Sequence, residues 1–234
     1  WSVTLTSPAD LGYDDSEYLL PPLNLVQISV KTDSSVPVAN TLQERLQVRR
    51  MTTEIRCQEA AKLVLNDPDK IWLIWTNLNL ESSRMKQLIP WAVEVKGSDK
   101  SEHKEKSIKD FIHGKIKCLV SKPLIFGLGI NAQICKNTIF VGLSDSAEQI
   151  YQATRRVWRF GQKDTVNCYH VVSDKEGAVV DNIKRKEKQM EDMQKELVKF
   201  TKEINMENIK KAAMENDYYE PMMDITVPNW LVAI

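Results

Sequence analysis

Short, wholly apolar runs recur along the middle of the chain and predict buried strands. Residues 71–75 show no polar alternation, as expected for a strand that is covered on both faces. Residues 116–120 and 138–141 are similar, and 25–30 and 166–172 alternate as further strands do. Segments rich in helix formers predict helices over 41–66, 81–88, 105–112 and 147–158. Strands alternating with helices indicate an α/β fold, with a mainly parallel sheet and helices on both faces.

The pattern changes at both ends of the chain and divides it into three parts. Residues 1–39 carry turn residues and short apolar stretches, which predict an extended entry segment. Residues 40–175 hold most of the predicted strands and helices. Residues 176–234 are predicted to begin with a long amphipathic helix and to end in an apolar C-terminal clasp, a tail that packs against the domain. The helix is predicted by a 3-4-3-4 spacing of Met190, Met193, Leu197, Phe200 and Ile204.

Composition narrows the class of protein only slightly. With 42% hydrophobic and 27% charged residues, the chain resembles a globular protein that can bury a core. Its formal net charge is zero, because 32 Lys and Arg balance 32 Asp and Glu. Dedicated DNA-coating domains tend to be basic, so this balance argues mildly against one.

The cysteines and the lack of long apolar runs indicate a reduced cytoplasmic protein. No Cys-x-x-Cys pair occurs, and no histidine lies at metal-ligand spacing from a cysteine, so we predict no zinc site. We expect Cys118 and Cys168 to lie reduced in the core. No segment approaches the length needed to span a bilayer, and none resembles a signal peptide, so we predict no membrane partner.

One predicted helix carries a stripe of side chains that suits phosphate. Gln152, Arg156 and Arg159 are spaced i, i+4 and i+7, so they share one helix face. Two guanidiniums on adjacent turns can converge on one polyanion. Arginines that face solvent or pair with carboxylates have the same spacing, so spacing alone leaves these alternatives open. Gly161 follows and permits a sharp turn after the helix.

A glycine-containing loop follows a predicted strand. Gly127 and Gly129 would let the backbone approach a ligand closely, with amide groups available for oxygen atoms. A tight turn between strand and loop would account for the same two glycines when they are considered alone.

Together, the loop and the helix resemble motifs V and VI of superfamily-two helicases. The resemblance rests on Gly-Leu-Gly-Ile-Asn and on Gln-Ala-x-x-Arg-x-x-Arg-x-Gly-Gln, the latter typical of the Swi/Snf-type branch. The strand 71–75 with Thr76 and Asn77 resembles motif IV. Residues 7–15, 20–23 and 228–231 resemble phage and prophage-borne DNA helicases of that branch. The specific motifs cover about 121–162, although the resemblance extends over nearly the whole chain.

The resemblance implies a role for particular residues. Arg156 and Arg159 would be catalytic, and Arg159 would be the arginine finger that reaches the γ-phosphate of ATP. The implied ATP-binding residues are Gln152, Gly127, Gly129 and Asn131. The implied nucleic-acid-binding residues are Ser121, Lys122, Thr76 and Asn77. The family usually has Ser-Thr where this chain has Ser-Lys-Pro, so the choice between Ser121 and Lys122 stays open.

The chain lacks the other half of such an active site. It contains no Gly-x-x-x-x-Gly-Lys-[Ser/Thr] loop, and no Asp-Glu pair follows a strand to hold Mg²⁺. The resemblance therefore implies the second RecA-like lobe of an ATP-dependent DNA helicase or translocase, in a bacterial or phage-infected cell. A missing N-terminal lobe would bind most of ATP and Mg²⁺, and the fragment alone would be inactive. The first residue, Trp1, is consistent with a fragment.

Two other functions compete with this one. A degenerate helicase lobe could serve as a non-catalytic nucleic-acid or protein-binding module, and a small-molecule transferase would leave the arginine stripe unexplained. DNA contacts would be to the backbone and independent of sequence. We expect both arginines to lie free of internal ion pairs, near the edge where the carboxyl ends of the strands gather.

Overall fold

In the computed structural model, every strand described below lies within the unit Ser16–Met190. The described residues are 14, 16, 19–39, 41–126, 130–176, 185–186, 188–189, 192–193 and 195–197. No helix within this part is both long and apolar enough to cross a membrane. The predicted C-terminal clasp, and most of the predicted long helix, lie outside the described residues.

Six strands form one sheet in which every neighbouring pair is parallel. The strands are β1 Leu23–Val30, β2 Trp72–Thr76, β3 Val93–Val95, β4 Cys118–Ser121, β5 Asn137–Val141 and β6 Val166–Ser173. Their order across the sheet is β1-β6-β5-β2-β4-β3. Because all run in the same direction, the sheet has an amino edge, where every strand begins, and a carboxyl edge, where every strand ends.

Helices connect the strands and run back across the sheet. They are α1 Leu42–Met51, α2 Thr53–Asn66, α3 Asn79–Leu88, α4 Ser101–Ile112, the short α5 Pro123–Phe126 and α6 Ala147–Val157. A single 3-10 turn, Asp174–Glu176, follows β6. Helix α1 begins with a capping box, in which Thr41 and Glu44 each accept a hydrogen bond from the other's backbone amide.

The strands are apolar on both sides because helices cover both faces of the sheet. Trp72 and Ile74 of β2 belong to one core cluster with Ala60 of α2 and Met85 of α3. Leu73 and Trp75 point the other way, into a cluster with Phe111 of α4 and Ile150 of α6. This arrangement confirms the predicted RecA-like α/β fold.

Several element boundaries differ from the sequence prediction. The predicted helix 41–66 is two helices, because Thr52 leaves helical geometry (φ −96°, ψ 5°) and its hydroxyl donates to Val48 O at 2.8 Å. Strand β3 and helix α5 were not predicted. Helix α4 begins at Ser101, four residues before the predicted start at residue 105.

Candidate functional site

Helix α6 runs from the carboxyl edge of the sheet to its amino edge, and this direction fixes where the arginines at its end lie. It begins at the carboxyl edge, where the Ser146 hydroxyl caps it by accepting from Gln149 N. It ends at the amino edge, where Trp158 Nε1 donates to Pro21 O at 2.7 Å, two residues before β1. Arg156, in the last turn of α6, and Arg159, two residues beyond its end, therefore lie at the amino edge. The expectation that they lie near the carboxyl edge is wrong, because α6 runs antiparallel to the strands. The prediction that Gln152, Arg156 and Arg159 share one helix face is wrong for Arg159, because Trp158 leaves helical geometry.

Residues that follow the predicted glycine loop contact the end of α6 at the same edge. Ala132 N donates to Arg156 O at 3.0 Å, and the Gln133 amide donates to Phe160 O. Gln162 Nε2 in turn donates to Gln133 O at 2.8 Å. The residues just after the first sequence motif therefore lie against the second.

The predicted ATP-binding residues are only partly brought together. Asn131 is exposed beside the junction of loop and helix, where its Nδ2 donates to Gln133 Oε1 at 2.9 Å. Gln152 lies one helix turn before Arg156 and is exposed, with its amide donating to Glu148 at 2.9 Å. Gly127 and Gly129 lie outside the described residues.

The arginines at the end of α6 have different surroundings. The Arg155 guanidinium stacks between two rings, 5.6 Å from the Tyr151 centroid and 5.0 Å from the Trp158 centroid. Arg156 is partly buried, and its carbonyl receives the hydrogen bond from the loop. Arg159 is partly exposed, and its guanidinium makes no hydrogen bond or ion pair with the protein in the described structure. Arg159 is therefore available to an external anion.

The glycine and glutamine that follow Arg159 shape the turn. Gly161 has φ +90°, which strains any other residue, and a Cβ there would lie 2.8 Å from Gln133 Nε2 and displace that side-chain amide. Gln162 is buried, and its side-chain oxygen accepts from the amides of Lys163 and Asp164 at 3.1 and 3.2 Å. Both residues hold the loop and the helix end together.

At the carboxyl edge, two of the four predicted nucleic-acid contacts are buried. Ser121 is fully buried and its hydroxyl donates to Val95 O at 3.1 Å, and Thr76 is fully buried too. Lys122 is partly exposed and lines a cleft of about 340 Å³ with Lys96 and other residues. Among the four, the side chains at the surface are those of Lys122 and the partly exposed Asn77.

An ion pair that the sequence analysis missed lies directly beneath Asn77. Arg56 of α2 and Glu81 of α3 are both fully buried, with Nη1 and Oε1 2.7 Å apart. Glu81 Oε2 accepts from the amide of Asn77 at 2.9 Å, and Asn77 Nδ2 donates to Gly142 O at 3.3 Å. The two partners are 25 positions apart in the chain, so local sequence patterns give no signal for the pair.

A second charged cluster holds the start of α6. Asp145 accepts from Arg45 at 3.0 Å and from Arg49 at 2.9 Å, and Arg49 also binds the buried Glu176 at 2.9 Å. Burial by itself raises the pKa of Asp145, but the two guanidiniums outweigh it and hold that pKa below its ordinary value. Asp145 stays ionised and fixes the position of the loop before Ser146.

The parallel sheet and the arginine-bearing helix define a RecA-like lobe, and one segment of it matches a known family. Residues 65–161 match the family model described as helicase conserved C-terminal domain. This segment of the chain is therefore similar to helicase C-terminal domains. A comparison with curated protein sequences gave no match.

Solved structures show a similar fold. The C-terminal part of the Fun30 ATPase domain is 19% identical with a TM-score of 0.49, and the match covers 55% of this chain and 44% of that one. A DEAD box protein from the hyperthermophile Methanococcus jannaschii is 14% identical with a TM-score of 0.52, over 72% and 40%. The chain thus spans less than half the length of either. At such low identity the second likeness shows the fold alone.

Proposed function

We propose that this chain is the second RecA-like lobe of an ATP-dependent DNA helicase or translocase of the Swi/Snf type, of the kind carried by phages. It would act in the cytoplasm of a bacterial or phage-infected cell. The observation that carries the proposal is the guanidinium of Arg159, which has no internal partner in the described structure and lies at the junction of loop and helix.

The residues at this junction fit a triphosphate held by another lobe. Bound ATP supplies the phosphoanhydride that is hydrolysed, and the other lobe, with its phosphate-binding loop, holds most of ATP and Mg²⁺. Arg159 stabilises negative charge that develops on the transferred phosphoryl group, a contribution of about 10³–10⁵ in rate for arginine fingers. Asn131 is exposed close by and can hydrogen-bond polar groups of the nucleotide. Arg156, one turn earlier, adds positive charge.

The carboxyl edge supplies the contact to DNA in this proposal. Lys122 and Asn77 face solvent there and bind backbone phosphates, while the buried Ser121 and Thr76 support the loops from beneath. Contacts of this kind carry no sequence information, so binding is largely independent of sequence and weakens as salt concentration rises.

Substitution of single arginines in a protein that holds both lobes tests the proposal. Arg159→Ala should lower steady-state ATP turnover by about 10³-fold or more, while a fluorescent ATP analogue still binds with similar affinity. Arg155→Ala is the matched control, because it removes an arginine of the same helix whose guanidinium is held between aromatic rings.

Two outcomes would contradict the proposal. Turnover within about twofold of wild type for Arg159→Ala would remove that residue from catalysis, since loss of an arginine finger costs far more. DNA binding without any ATP turnover by the two-lobe protein would favour the alternative function, a non-catalytic nucleic-acid-binding module.

A further inference from the structure

A fully buried ion pair lies where two functional loops meet. Arg56 and Glu81 are each 0% exposed. Besides its 2.7 Å contact with Glu81, Arg56 donates from Nε to Thr52 Oγ1 at 3.1 Å and from Nη2 to Arg49 O at 2.5 Å. The guanidinium therefore connects α2 both to α3 and to the last turn of α1.

Glu81 holds the loop at the end of β2. Its Oε2 accepts hydrogen bonds from the backbone amides of Asn77 and Leu78, both at 2.9 Å. These bonds close the first turn of α3 and fix the backbone from which the Asn77 side chain projects. An apolar side chain of the same size could fill the space but could not accept these two bonds.

The other loop at this point follows β5. Gly142 has φ +79°, and a Cβ there would lie 2.4 Å from Arg56 Nη1. Its carbonyl accepts from Asn77 Nδ2 at 3.3 Å, and its amide donates to Val171 O at 2.8 Å. The loop after β2 thus contacts Glu81, and the loop after β5 lies against Arg56, so the same ion pair supports both loops.

The contacts continue from the pair to the start of α6. Arg56 donates to the carbonyl of Arg49, and the guanidinium of Arg49 binds Asp145 at 2.9 Å. Asp145 immediately precedes Ser146, the N-cap of α6. Hydrogen bonds, the Arg56–Glu81 ion pair and the chain itself from Asp145 to Ser146 therefore connect Asn77 at the carboxyl edge to α6, which ends two residues before Arg159.

Stability alone gives a weak reason for burying this pair. Removing two charges from water is costly, and well-packed apolar replacements of buried ion pairs are often equally stable or more stable. The feature that apolar residues cannot reproduce is the set of directed hydrogen bonds to Asn77, Leu78 and Arg49. The pair is therefore suited to fixing loop geometry.

We propose that Arg56 and Glu81 are positioning residues that couple the DNA-binding loop of Asn77 to the arginine-bearing helix α6. The inference rests on the proposed function, because it assigns a role in DNA-stimulated ATP turnover. In this role, DNA bound at Asn77 favours one arrangement of both loops, and the series of contacts transmits that preference to α6.

The test uses the two-lobe protein and removes both charges together. Arg56→Met/Glu81→Leu should fold, as judged by a cooperative thermal melting transition, because it leaves no unpaired charge in the core. The ratio of DNA-stimulated to DNA-free ATP turnover should fall about tenfold, in the range of ordinary coupling energies. The matched control is Arg84→Met/Glu54→Leu, which removes an exposed ion pair between the same two helices and should leave the ratio unchanged.

Each result either supports or overturns the coupling role. A folded double variant with the wild-type ratio overturns the inference, and so does an equal loss of both rates, which a structural role alone would give. If the double variant does not fold, Arg56→Lys decides by the same ratio, because it keeps both charges but lacks the guanidinium's separate donor to Arg49 O, and a wild-type ratio then overturns the inference. A wild-type protein that shows no DNA-stimulated turnover refutes the proposed function itself, which is a separate outcome.

Discussion

Two glycines with positive φ permit a matched pair of substitutions that probes the buried ion pair. Gly142 has φ +79° and Gly114 has φ +73°. Alanine at either position adopts a left-handed conformation, at a cost of about 1–2 kcal/mol. The two sites differ in which atoms the new methyl group contacts. The difference in stability between the two variants therefore cancels the backbone cost and reports the cost of the contact.

The contacts predict a large difference in stability. At Gly114 the new Cβ lies 3.1 Å from Ile134 Cδ1, the end of a flexible side chain that can move by a few tenths of an ångström. At Gly142 it lies 2.4 Å from Arg56 Nη1, which is fully buried and bound to Glu81. Displacing that guanidinium breaks a buried ion pair, which costs about 3–5 kcal/mol.

Gly142→Ala should therefore be about 3 kcal/mol less stable than Gly114→Ala. Urea denaturation of this chain, followed by circular dichroism, measures the free energy of unfolding of each variant. Thermal melting gives a second measure, because 1 kcal/mol shifts Tm by about 2–4 °C in domains of 150–250 residues. The expected separation in Tm is thus about 6–12 °C.

Equal stabilities would refute this reasoning. If the two variants differ by less than about 1 kcal/mol, either the Arg56 guanidinium moves aside at little cost or the pair contributes little to stability. The Arg56→Met/Glu81→Leu background checks the cause, because there the new methyl group meets no guanidinium and Gly142→Ala should cost little more than Gly114→Ala.

Two further predictions concern ionisable groups. Asp145 has a lowered pKa, so its contribution to stability is complete above the ordinary carboxyl range and is lost as pH falls through the folded pKa. Asp145→Asn should therefore lower the free energy of unfolding at neutral pH, and the difference from wild type should disappear in acid, below about pH 4. A difference that does not change with pH would contradict this prediction. Burial raises the pKa of three thiols to about 12, and the fourth is buried as well. A disulfide reagent at mildly alkaline pH should therefore react with no cysteine in the folded protein and with all four in denaturant, and rapid reaction in the native state would contradict the burial. The four cysteines are Cys57, Cys118, Cys135 and Cys168.

The main elements of the fold could be predicted because the sheet is covered on both faces. Strands such as β2 and β5 are buried at every residue, and a short unbroken apolar run is typical of a strand in that position. Strand β3 has three residues, one of which is Glu94, so it carries no apolar run. The break between α1 and α2 depends on how a single threonine hydroxyl bonds, which composition does not predict.

The candidate site could be predicted only where local spacing decides it. The helix face shared by Gln152 and Arg156 follows from periodicity, but the end of α6 before Arg159 does not. The stacking that occupies Arg155 depends on its aromatic neighbours. Burial of Ser121 at the end of β4 depends on the neighbouring strand β3, whose carbonyl it binds. The pairing of Arg56 with Glu81 joins two helices through the core and leaves no periodic signal in either.

Among the described elements, α6 has its first turn beside Asp145 and its last turn close to Arg159, so a tilt of this helix would move Arg159 more than Asp145. Its 11 residues make a rod about 16 Å long. Tilting such a rod by about 5° about its first turn carries the far end through about 1.4 Å, and a misplacement of about 1 Å can cost 10²-fold in rate. Small adjustments of the loop around Asp145 would thus be magnified at Arg159, on the opposite side of the domain.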